Sequence, residues 1–485
     1  MSRYEGADPA PSPAHHQLAK VVKVVSEPQL KVPQNKRVPF GWGAFAVLLA
    51  GEVQLHWPQR PLDGHARLRL TVALDDREEK LVDVFTLHSN QAVGRFDLRY
   101  AYALQPFEVV LEPPAARAAT REGVGLRVSR GATPLWILDT PHAPALCPHL
   151  LFEAATDPLK EFYRRLLSLD SVQPLGWLEG CVLDGLFDLR QALGVGRIEA
   201  AILRHLNLFV TGAGELVYEN PRGEPADGTI YGIEATLPFA VWAKLWPEHP
   251  ALELVRKSWL TRRDAQGLVQ DGATTSAEGS YTVAYPMAVL AKHCGFAELE
   301  QLAIDQLRFR KERLVAGGDI YLRAHGDGSH TFCNWARGVA WYLLGLVRSL
   351  IELKHRSDLD DLKEEARRAA SWAMALQQPS GLWRCFLSEP ETEVDTSGSA
   401  GIAAALALGA KHGLLPSSAR QAAEQTLRAL ERYLSPDGFL MAVAQANRGG
   451  ERLQRSSYRV ISQMATGLMA QLIAALGEPE TSPPS

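Results

Sequence analysis

Two glutamates, Glu234 and Glu278, lie at the starts of two apolar segments of this 485-residue chain and could act as an acid–base pair. Breaking a glycosidic bond requires one carboxylic acid that protonates the leaving oxygen and one carboxylate that activates water or attacks carbon. Arg337 lies at the start of another apolar segment, where its guanidinium would suit bidentate pairing with a uronate. Trp335, two residues earlier, would present an aromatic face to a sugar ring. These residue types favour a pocket for an acidic sugar.

Three further residues at the starts of such segments are candidates for substrate contact: Tyr281, Asp395 and Tyr458. The tyrosines could donate hydroxyl groups, although a buried tyrosine commonly hydrogen-bonds only to its neighbours. Asp395 precedes a threonine and a serine, so a helix N-cap is its alternative role.

Six apolar segments rich in small residues position these side chains, recurring at intervals of about 50 to 60 residues, each followed by a charged amphipathic segment. They start near Trp177, Gly232, Ser280, Trp335, Ser397 and Tyr458. A helix that is apolar nearly all round, such as 398–410, must be covered by neighbours, whereas 362–376 has one apolar stripe and belongs outside. With a leading amphipathic helix at 158–169, the chain is predicted to be mainly α, with six inner and six outer helices in an (α/α)6 barrel. The inner-helix starts then meet at one end, which attracts anions.

The N-terminal part has a different pattern of short alternating apolar runs, which predicts an antiparallel β-sandwich. The runs lie at 66–74, 81–87, 95–104, 107–111, 124–128 and 135–138. We expect this domain to stabilise the barrel or to form a dimer contact, in preference to binding carbohydrate separately. The expected boundaries are a disordered tail at 1–37, the β-sandwich at 38–150, the catalytic barrel at 151–477 and a disordered tail at 478–485.

Composition narrows the classes of function. The formal net charge is −4 and there is no basic run, which argues against nucleic acid as a partner. The five cysteines are an odd number without a CxxC, which argues against a disulfide framework and a structural zinc site. We therefore expect no metal and no cofactor.

The sequence also shows no targeting signal. No apolar run reaches the roughly 18 residues of a membrane span, and the first twenty residues lack an apolar signal core. The expected location is cytoplasmic, with no membrane partner, and a homodimer is the default oligomeric state. The sequence contains no GxSxG, HExxH, P-loop or GxGxxG motif, so serine-hydrolase, zinc-protease and nucleotide chemistry are not expected.

Three motifs carry a resemblance to a known family. The segment NWARGVAW at 334–341 resembles the WxRGxxW signature of unsaturated glucuronyl and rhamnogalacturonyl hydrolases. In the same order, QPSGLW at 378–383 and DTSGSA at 395–400 look like the family's Gln-x-x-Gly-Leu-Trp and Glu-Thr-Ser-Gly-x-Ala blocks. The resemblance covers about residues 173–476 and implies an (α/α)6 hydrolase that acts at a non-reducing uronic acid end. Related β-glucuronidases with this barrel resemble the pattern as well.

The chain departs from the family at the catalytic positions. The family's aspartate at the third inner helix, which protonates the C4=C5 double bond, falls about on Gly279, with Glu278 beside it. The family's other aspartate corresponds to Asp227 or is replaced by Glu234. The resemblance also matches His325 to a substrate-facing loop, although a solitary histidine more often has a structural role.

The leading hypothesis from these residues is an exo-acting, β-glucuronidase-like hydrolase that uses Glu234 and Glu278 on a uronic-acid-containing oligosaccharide. The alternative is an unsaturated glucuronyl or rhamnogalacturonyl hydrolase. A polysaccharide lyase, with Tyr281 as base and Arg337 neutralising the uronate, and a non-catalytic glycan binder are less favoured alternatives.

Overall fold

The computed structural model describes residues 16–18, 20–25, 30–57, 64–152 and 157–477. Its N-terminal third is rich in strands, and the remainder is helical. The strands of the N-terminal part are β1 (His16–Leu18), β2 (Lys20–Val25), β3 (Ala44–Val47), β4 (Glu52–His56), β5 (Ala66–Thr71), β6 (Glu79–Thr86), β7 (Ala92–Arg99), β8 (Pro106–Leu111), β9 (Val124–Arg130), β10 (Leu135–Leu138) and β11 (His149–Phe152), with helix α1 (Pro113–Glu122) before β9.

The helical part contains thirteen α-helices among the described residues, together with short strands between them. The helices are α2 (Pro158–Leu166), α3 (Trp177–Leu193), α4 (Val195–Leu206), α5 (Pro238–Leu245), α6 (Pro250–Thr261), α7 (Tyr285–Cys294), α8 (Glu298–Leu314), α9 (Ala336–Glu352), α10 (Asp360–Ala375), α11 (Thr396–Lys411), α12 (Ser417–Leu430), α13 (Gly450–Arg455) and α14 (Gln463–Leu476). The strands are β12 (Thr275–Ser276), β13 (Val315–Ala316), β14 (Asp319–Ala324), β15 (His330–Cys333), β16 (Val443–Ala444) and β17 (Arg459–Val460).

The N-terminal strands form two larger antiparallel sheets, with orders β1-β11-β5-β8 and β2-β4-β9-β6-β7, and a third sheet of β10 and β3. In β6 the side chains of Val82 and Val84 are buried, whereas Asp83 between them is half-buried and pairs with Arg95 of β7. This alternation is typical of an antiparallel sheet with one face on a core. All six alternating runs that the sequence indicates contain a strand.

The expected boundaries need correction at both ends of this part. Strands β1 and β2 lie inside the segment predicted to be a disordered tail, because β1 pairs with β11 and the valine-rich β2 pairs with β4. At the other end, β11 continues past residue 150 to Phe152. Residues 1–15 and the predicted tail at 478–485 lie outside the described residues.

Six helices form an inner ring: α3, α5, α7, α9, α11 and α14. Each contacts the next along the chain, and α14 contacts α3, so the ring is closed. Every residue of α11 from 396 to 409 is buried, as the sequence predicts for an inner helix. The outer helices are α2, α4, α6, α8, α10 and α12; in α10 the buried stripe includes Leu362, Ala366 and Ala369.

The second and sixth inner helices begin later than predicted. The sequence places the second start near Gly232, but α5 begins at Pro238, after the separate 3-10 turn Ile233–Ala235. It places the sixth start near Tyr458, but α14 begins at Gln463 because β17 pairs with β16 just before it. The part of the chain that the structure describes contains no helix with both the length and the apolar character that crossing a bilayer requires.

Candidate active site

A pocket of about 230 Å³ lies where four of the inner helices begin. This volume is below the roughly 300 to 1,000 Å³ of sites for drug-sized ligands, so the pocket suits one sugar unit better than a long chain. From the helical part it is lined by Trp177, Glu219, Tyr231, Glu234, Glu278, Arg323, Trp335, Arg337, Trp341, Asn447 and Arg448, among others. The sequence-predicted pair Glu234 and Glu278 therefore shares one pocket with Arg337 and Trp335.

Glu234 lies in a single 3-10 turn, Ile233–Ala235, immediately before α5. The turn is held by the Asp271 carboxylate, which accepts a hydrogen bond from the backbone N–H of Ile233 at 3.1 Å. Burial raises the pKa of Glu234 to about 8, and the negative charge of Glu278 adds to this effect. Glu234 is therefore protonated at neutral pH and is suited to donate a proton.

Glu278 follows β12 and precedes a π-helical turn, Ser280–Ala284, that continues into α7. Its Oε1 accepts a hydrogen bond from Nδ2 of Asn447 at 3.3 Å. Burial raises the pKa of Glu278, whereas the positive charges of Arg323 and Arg337 oppose the rise. Because two neighbouring carboxyl groups do not readily ionise together, the pair is suited to hold one proton and one negative charge.

Gly279, where the resemblance would put an aspartate, cannot direct a side chain into the pocket. A Cβ at this position would lie 2.6 Å from Cζ of Arg310, a buried residue of the outer helix α8. Arg310 donates to the carbonyl oxygens of Ser276 at 3.2 Å and Val269 at 2.8 Å, and so supports the segment that leads into Glu278. The pocket carboxylate of this segment is therefore Glu278.

Gly279→Ala is expected to lower the free energy of unfolding by about 1 to 3 kcal/mol, because the added methyl group overlaps the Arg310 guanidinium. Chemical denaturation measures the change. Gly196→Ala is the matched control, since a Cβ at Gly196 meets nothing within 4 Å and its backbone is not left-handed; we expect unchanged or slightly higher stability there. Equal stability of the Gly279 variant and the wild type would show that Arg310 moves away freely.

Arg337 lies at the wall of the pocket and is only 2% exposed. It donates to Ser397 Oγ at 3.1 Å and to the carbonyl oxygens of Ala444 and Gln445, both at 2.6 Å. Its guanidinium also lies 4.5 Å from the ring centre of Trp335. These partners are neutral, so they fix the position of the guanidinium without cancelling its charge.

Arg323 is a pocket residue that the sequence did not single out. It lies on β14, opposite Ser276 of β12, which brings it beside the segment leading to Glu278. Among the described residues its guanidinium has no hydrogen bond or ion pair, and its Cζ lies 5.9 Å from the centre of the Phe332 ring. In the sequence, the only sign of Arg323 is that it lies two residues before His325. The pairing of β14 with β12 shows that Arg323, and not His325, lines the pocket.

Three tryptophans contribute aromatic surface to the pocket. Trp335 and Trp341 are 1% and 3% exposed, whereas Trp177 is half-buried. The rings of Trp177 and Trp341 are 5.6 Å apart with edge-on geometry. Trp177 therefore offers more accessible ring surface than Trp335, which the sequence favoured.

The structure does not bring Tyr281 or Tyr458 to the pocket, which corrects two predictions of substrate contact. Tyr281 is fully buried within the ring and donates to Asp184 Oδ2 at 2.6 Å. Burial raises the pKa of Tyr281 well above its ordinary value. Tyr458 donates to the carbonyl oxygen of Asp97 at 3.0 Å and accepts from the Arg99 N–H at 3.1 Å, so it connects the two parts of the chain.

Asp227, His325 and Asp395 are likewise not among the residues that line the pocket. Asp227 accepts two hydrogen bonds from Arg37, at 2.6 and 2.8 Å. His325 hydrogen-bonds to Thr331 Oγ1 at 3.0 Å within its own hairpin. Asp395 is the N-cap of α11, the alternative role that the sequence offered. Each side chain thus has a local structural partner.

The β-rich part also lines the pocket, through Pro39, Asp75, Arg77, Tyr102 and Ala103. This extends the expected role of that part, which was to stabilise the barrel or to form a dimer contact. Across the described residues, no group of three or more His, Cys, Asp or Glu side chains could hold a metal ion.

Residues 318–475 match the family described as Glycosyl Hydrolase Family 88. Among curated proteins, Protein Atu3128 from Agrobacterium fabrum is 36% identical over 103 residues, 20% of this chain and 44% of its own length. An unsaturated 3S-rhamnoglycuronyl hydrolase from Formosa agariphila is 39% identical over 87 residues, 17% of this chain and 22% of its own. The chain thus spans less than half the length of these curated relatives.

Solved structures share the fold over two thirds of the chain. A glycoside hydrolase of Family 105 from C. acetobutylicum has a TM-score of 0.57 at 17% identity, covering 66% of this chain and 98% of its own. An unsaturated glucuronyl hydrolase from Bacillus sp. GL1 has a TM-score of 0.51 at 19% identity, covering 66% of this chain and 94% of its own. At these identities the likeness concerns the fold alone.

The family match contains all three motifs of the resemblance, although it is shorter than the 173–476 that the motifs suggested. The resemblance is therefore confirmed: the chain resembles the uronic-acid glycoside hydrolases of Family 88, and two thirds of it share the fold of the solved Family 105 hydrolase and of the solved unsaturated glucuronyl hydrolase.

Proposed function

We propose that this chain is an exo-acting hydrolase that adds water to the C4=C5 double bond of an unsaturated uronic acid at the non-reducing end of an oligosaccharide. The observation that carries the proposal is the carboxyl pair of half-buried Glu234 and buried Glu278, in one pocket with Arg323 and Arg337. The pair supplies a proton donor and a base, and the arginines supply positive charge for a carboxylate.

The hydration begins when protonated Glu234 gives its proton to C4 of the sugar. The positive charge that develops at C5 is shared with the ring oxygen. Ionised Glu278 takes a proton from water as the water oxygen bonds to C5, which gives a hemiketal. The bond between C5 and the ring oxygen then breaks to form a ketone at C5, and the hemiacetal left at C1 expels the second sugar as an alcohol.

This proposal replaces the β-glucuronidase-like hypothesis with the alternative that the sequence left open. Glu234 and Glu278 could serve either reaction, so the carboxyl pair alone does not separate them. The family match and the curated relative from Formosa agariphila, whose name specifies an unsaturated uronyl substrate, favour hydration. A lyase with Tyr281 as base is disfavoured, because that hydroxyl is buried against Asp184.

We also propose an architecture for the two parts of the chain. The six inner and six outer helices form an (α/α)6 barrel, which the closed ring of contacts from α3 to α14 supports. The two larger N-terminal sheets form a β-sandwich, which the contacts of β7 of one sheet with β8 of the other support. The domain boundary then falls between β11 and α2.

Two disaccharides with the same second sugar test the reaction. With a 4,5-unsaturated uronate at the non-reducing end, we expect loss of the ultraviolet absorbance of the conjugated double bond, together with release of the second sugar. With saturated β-glucuronate at that end, we expect no release of glucuronate at the same enzyme concentration. Release from the saturated compound with unchanged absorbance of the unsaturated one would overturn the proposal and restore the β-glucuronidase-like hypothesis.

A further inference from the structure

One wall of the pocket comes from turns of the β-rich part. Asp75 and Arg77 lie between β5 and β6, and Tyr102 lies between β7 and β8. The solved relatives match over nearly all of their own length but over only two thirds of this chain. The remaining third is about as long as the β-rich part, and on this ground we infer that the wall is an addition to the helical fold that they share.

The wall is joined to the helical part by two arginines and one carboxylate. Asp75, whose side chain is 3% exposed, pairs with Arg77 at 2.7 Å and with Arg448 from the loop before α13. Both arginines also donate to the carbonyl oxygen of Pro221, each at 2.9 Å. Two positive charges share one negative charge here, so the junction keeps a net positive charge.

Exposure shows that this junction lies at the mouth of the pocket. The side chain of Arg77 is 45% exposed, whereas Arg337 is almost fully buried. The Nη1 atom of Arg77 has no hydrogen-bond partner among the described residues. Tyr231, which also lines the pocket, is 39% exposed. Burial raises the pKa of the Tyr231 hydroxyl, and Arg448 and Arg77 oppose the rise, so these three side chains are near one another.

We propose that Arg77 and Arg448, together with the ring of Tyr231, form a binding site for the second sugar of the substrate, and that this site selects a sugar carrying an anionic group, a sulfate or a carboxylate. The proposal rests on the proposed function, because it takes the terminal uronate to lie beside Glu234 and Glu278. The remainder of the oligosaccharide must then extend towards solvent, which is where the junction lies.

The chemistry of the three side chains fits such a sugar. An aromatic ring at a pocket mouth stacks on the apolar face of a pyranose. A guanidinium with a free nitrogen pairs with sulfate or carboxylate oxygens through charge-assisted hydrogen bonds. Asp75 fixes both guanidinium groups in place, so less side-chain freedom is lost when the anion binds.

The test uses three unsaturated disaccharides that differ only in the second sugar: neutral, O-sulfated, or a uronate. The measured quantity is the selectivity ratio, kcat/KM for each acidic substrate divided by kcat/KM for the neutral one. Arg77→Gln is expected to lower this ratio roughly 5- to 10-fold for at least one acid, because a charge-assisted hydrogen bond is lost at a half-exposed site, where solvent weakens it. The acid whose ratio falls identifies the anionic group. Arg77→Lys keeps the charge and should lower the ratio less.

Arg130→Gln is the matched control, since Arg130 is an exposed arginine of the same β-rich part, 66% exposed, and does not line the pocket. Its ratio should equal that of the wild type. A variant that merely loosens the junction would lower kcat/KM for all three substrates and leave the ratio unchanged, which would overturn this inference while the proposed function stands. If the wild type hydrates none of the three disaccharides, the proposed function fails, and this inference fails with it.

Discussion

Glu234→Gln is expected to lower kcat for the unsaturated disaccharide by about 10²- to 10⁴-fold, the usual contribution of a positioned acid or base. The amide keeps the size of the side chain but has no acidic proton to give to C4. Glu365→Gln is a control, because Glu365 is a buried carboxylate that pairs with Tyr342 and Arg368 outside the pocket. It should retain kcat. Near-normal activity of the Glu234 variant would exclude this residue as the proton donor.

The same residue sets the expected pH dependence of the wild-type enzyme. Glu234 must be protonated to act, and burial raises its pKa to about 8, so kcat/KM should fall as pH rises through about 8. On the acidic side, activity should fall as Glu278 becomes protonated and can no longer accept a proton from water. The profile is thus bell-shaped, and any residual activity of Glu234→Gln should lack the alkaline decline.

Replacing Glu234 by glutamine should change stability in the opposite sense from activity. Because the pKa of Glu234 is higher in the folded chain than its ordinary value of 4.5, its contribution to stability is complete below pH 4.5 and is lost as pH rises towards about 8. Glutamine does not titrate, so Glu234→Gln should unfold at a higher temperature than the wild type at pH 8, with a smaller difference at pH 5. A carboxyl group retained at this cost is typical of a functional site.

The repeating pattern predicted much of the fold because burial is a local property of a helix. An inner helix such as α11 has apolar or small residues on every side, and α10 has one stripe, so each can be assigned from its own residues. The starts of inner helices were predicted for the same reason, and with them Glu234 and Glu278. The exceptions are α5, which begins after the 3-10 turn that contains Glu234, and α14, which begins after β17, a strand of only two residues with no pattern of its own.

The remaining pocket residues depend on contacts between segments distant in sequence. Arg323 faces the pocket because β14 pairs with β12, about fifty residues earlier in the chain. Asp75 and Arg77 reach it because the β-rich part packs on the loops of the helical part. Conversely, Tyr281 lies in the π-helical turn that leads into α7, yet its side chain points to Asp184 inside the ring. Position at a helix start predicts proximity to the pocket but not side-chain direction.

Arg323→Gln is expected to lower kcat/KM for the unsaturated disaccharide about 10- to 150-fold, equivalent to the roughly 1.5–3 kcal/mol of a hydrogen bond to a charged group. Arg323 has no ion-pair partner among the described residues, so its charge is available to the substrate carboxylate.

The charge of Arg323 also lowers the pKa of both Glu278 and Glu234, and its removal should therefore shift both limbs of the pH profile to higher pH. Arg323→Lys retains the charge and should shift the limbs less, while still losing the bidentate contact. If Arg323→Gln lowers activity without moving either limb, Arg323 supports the pocket only as a structural residue.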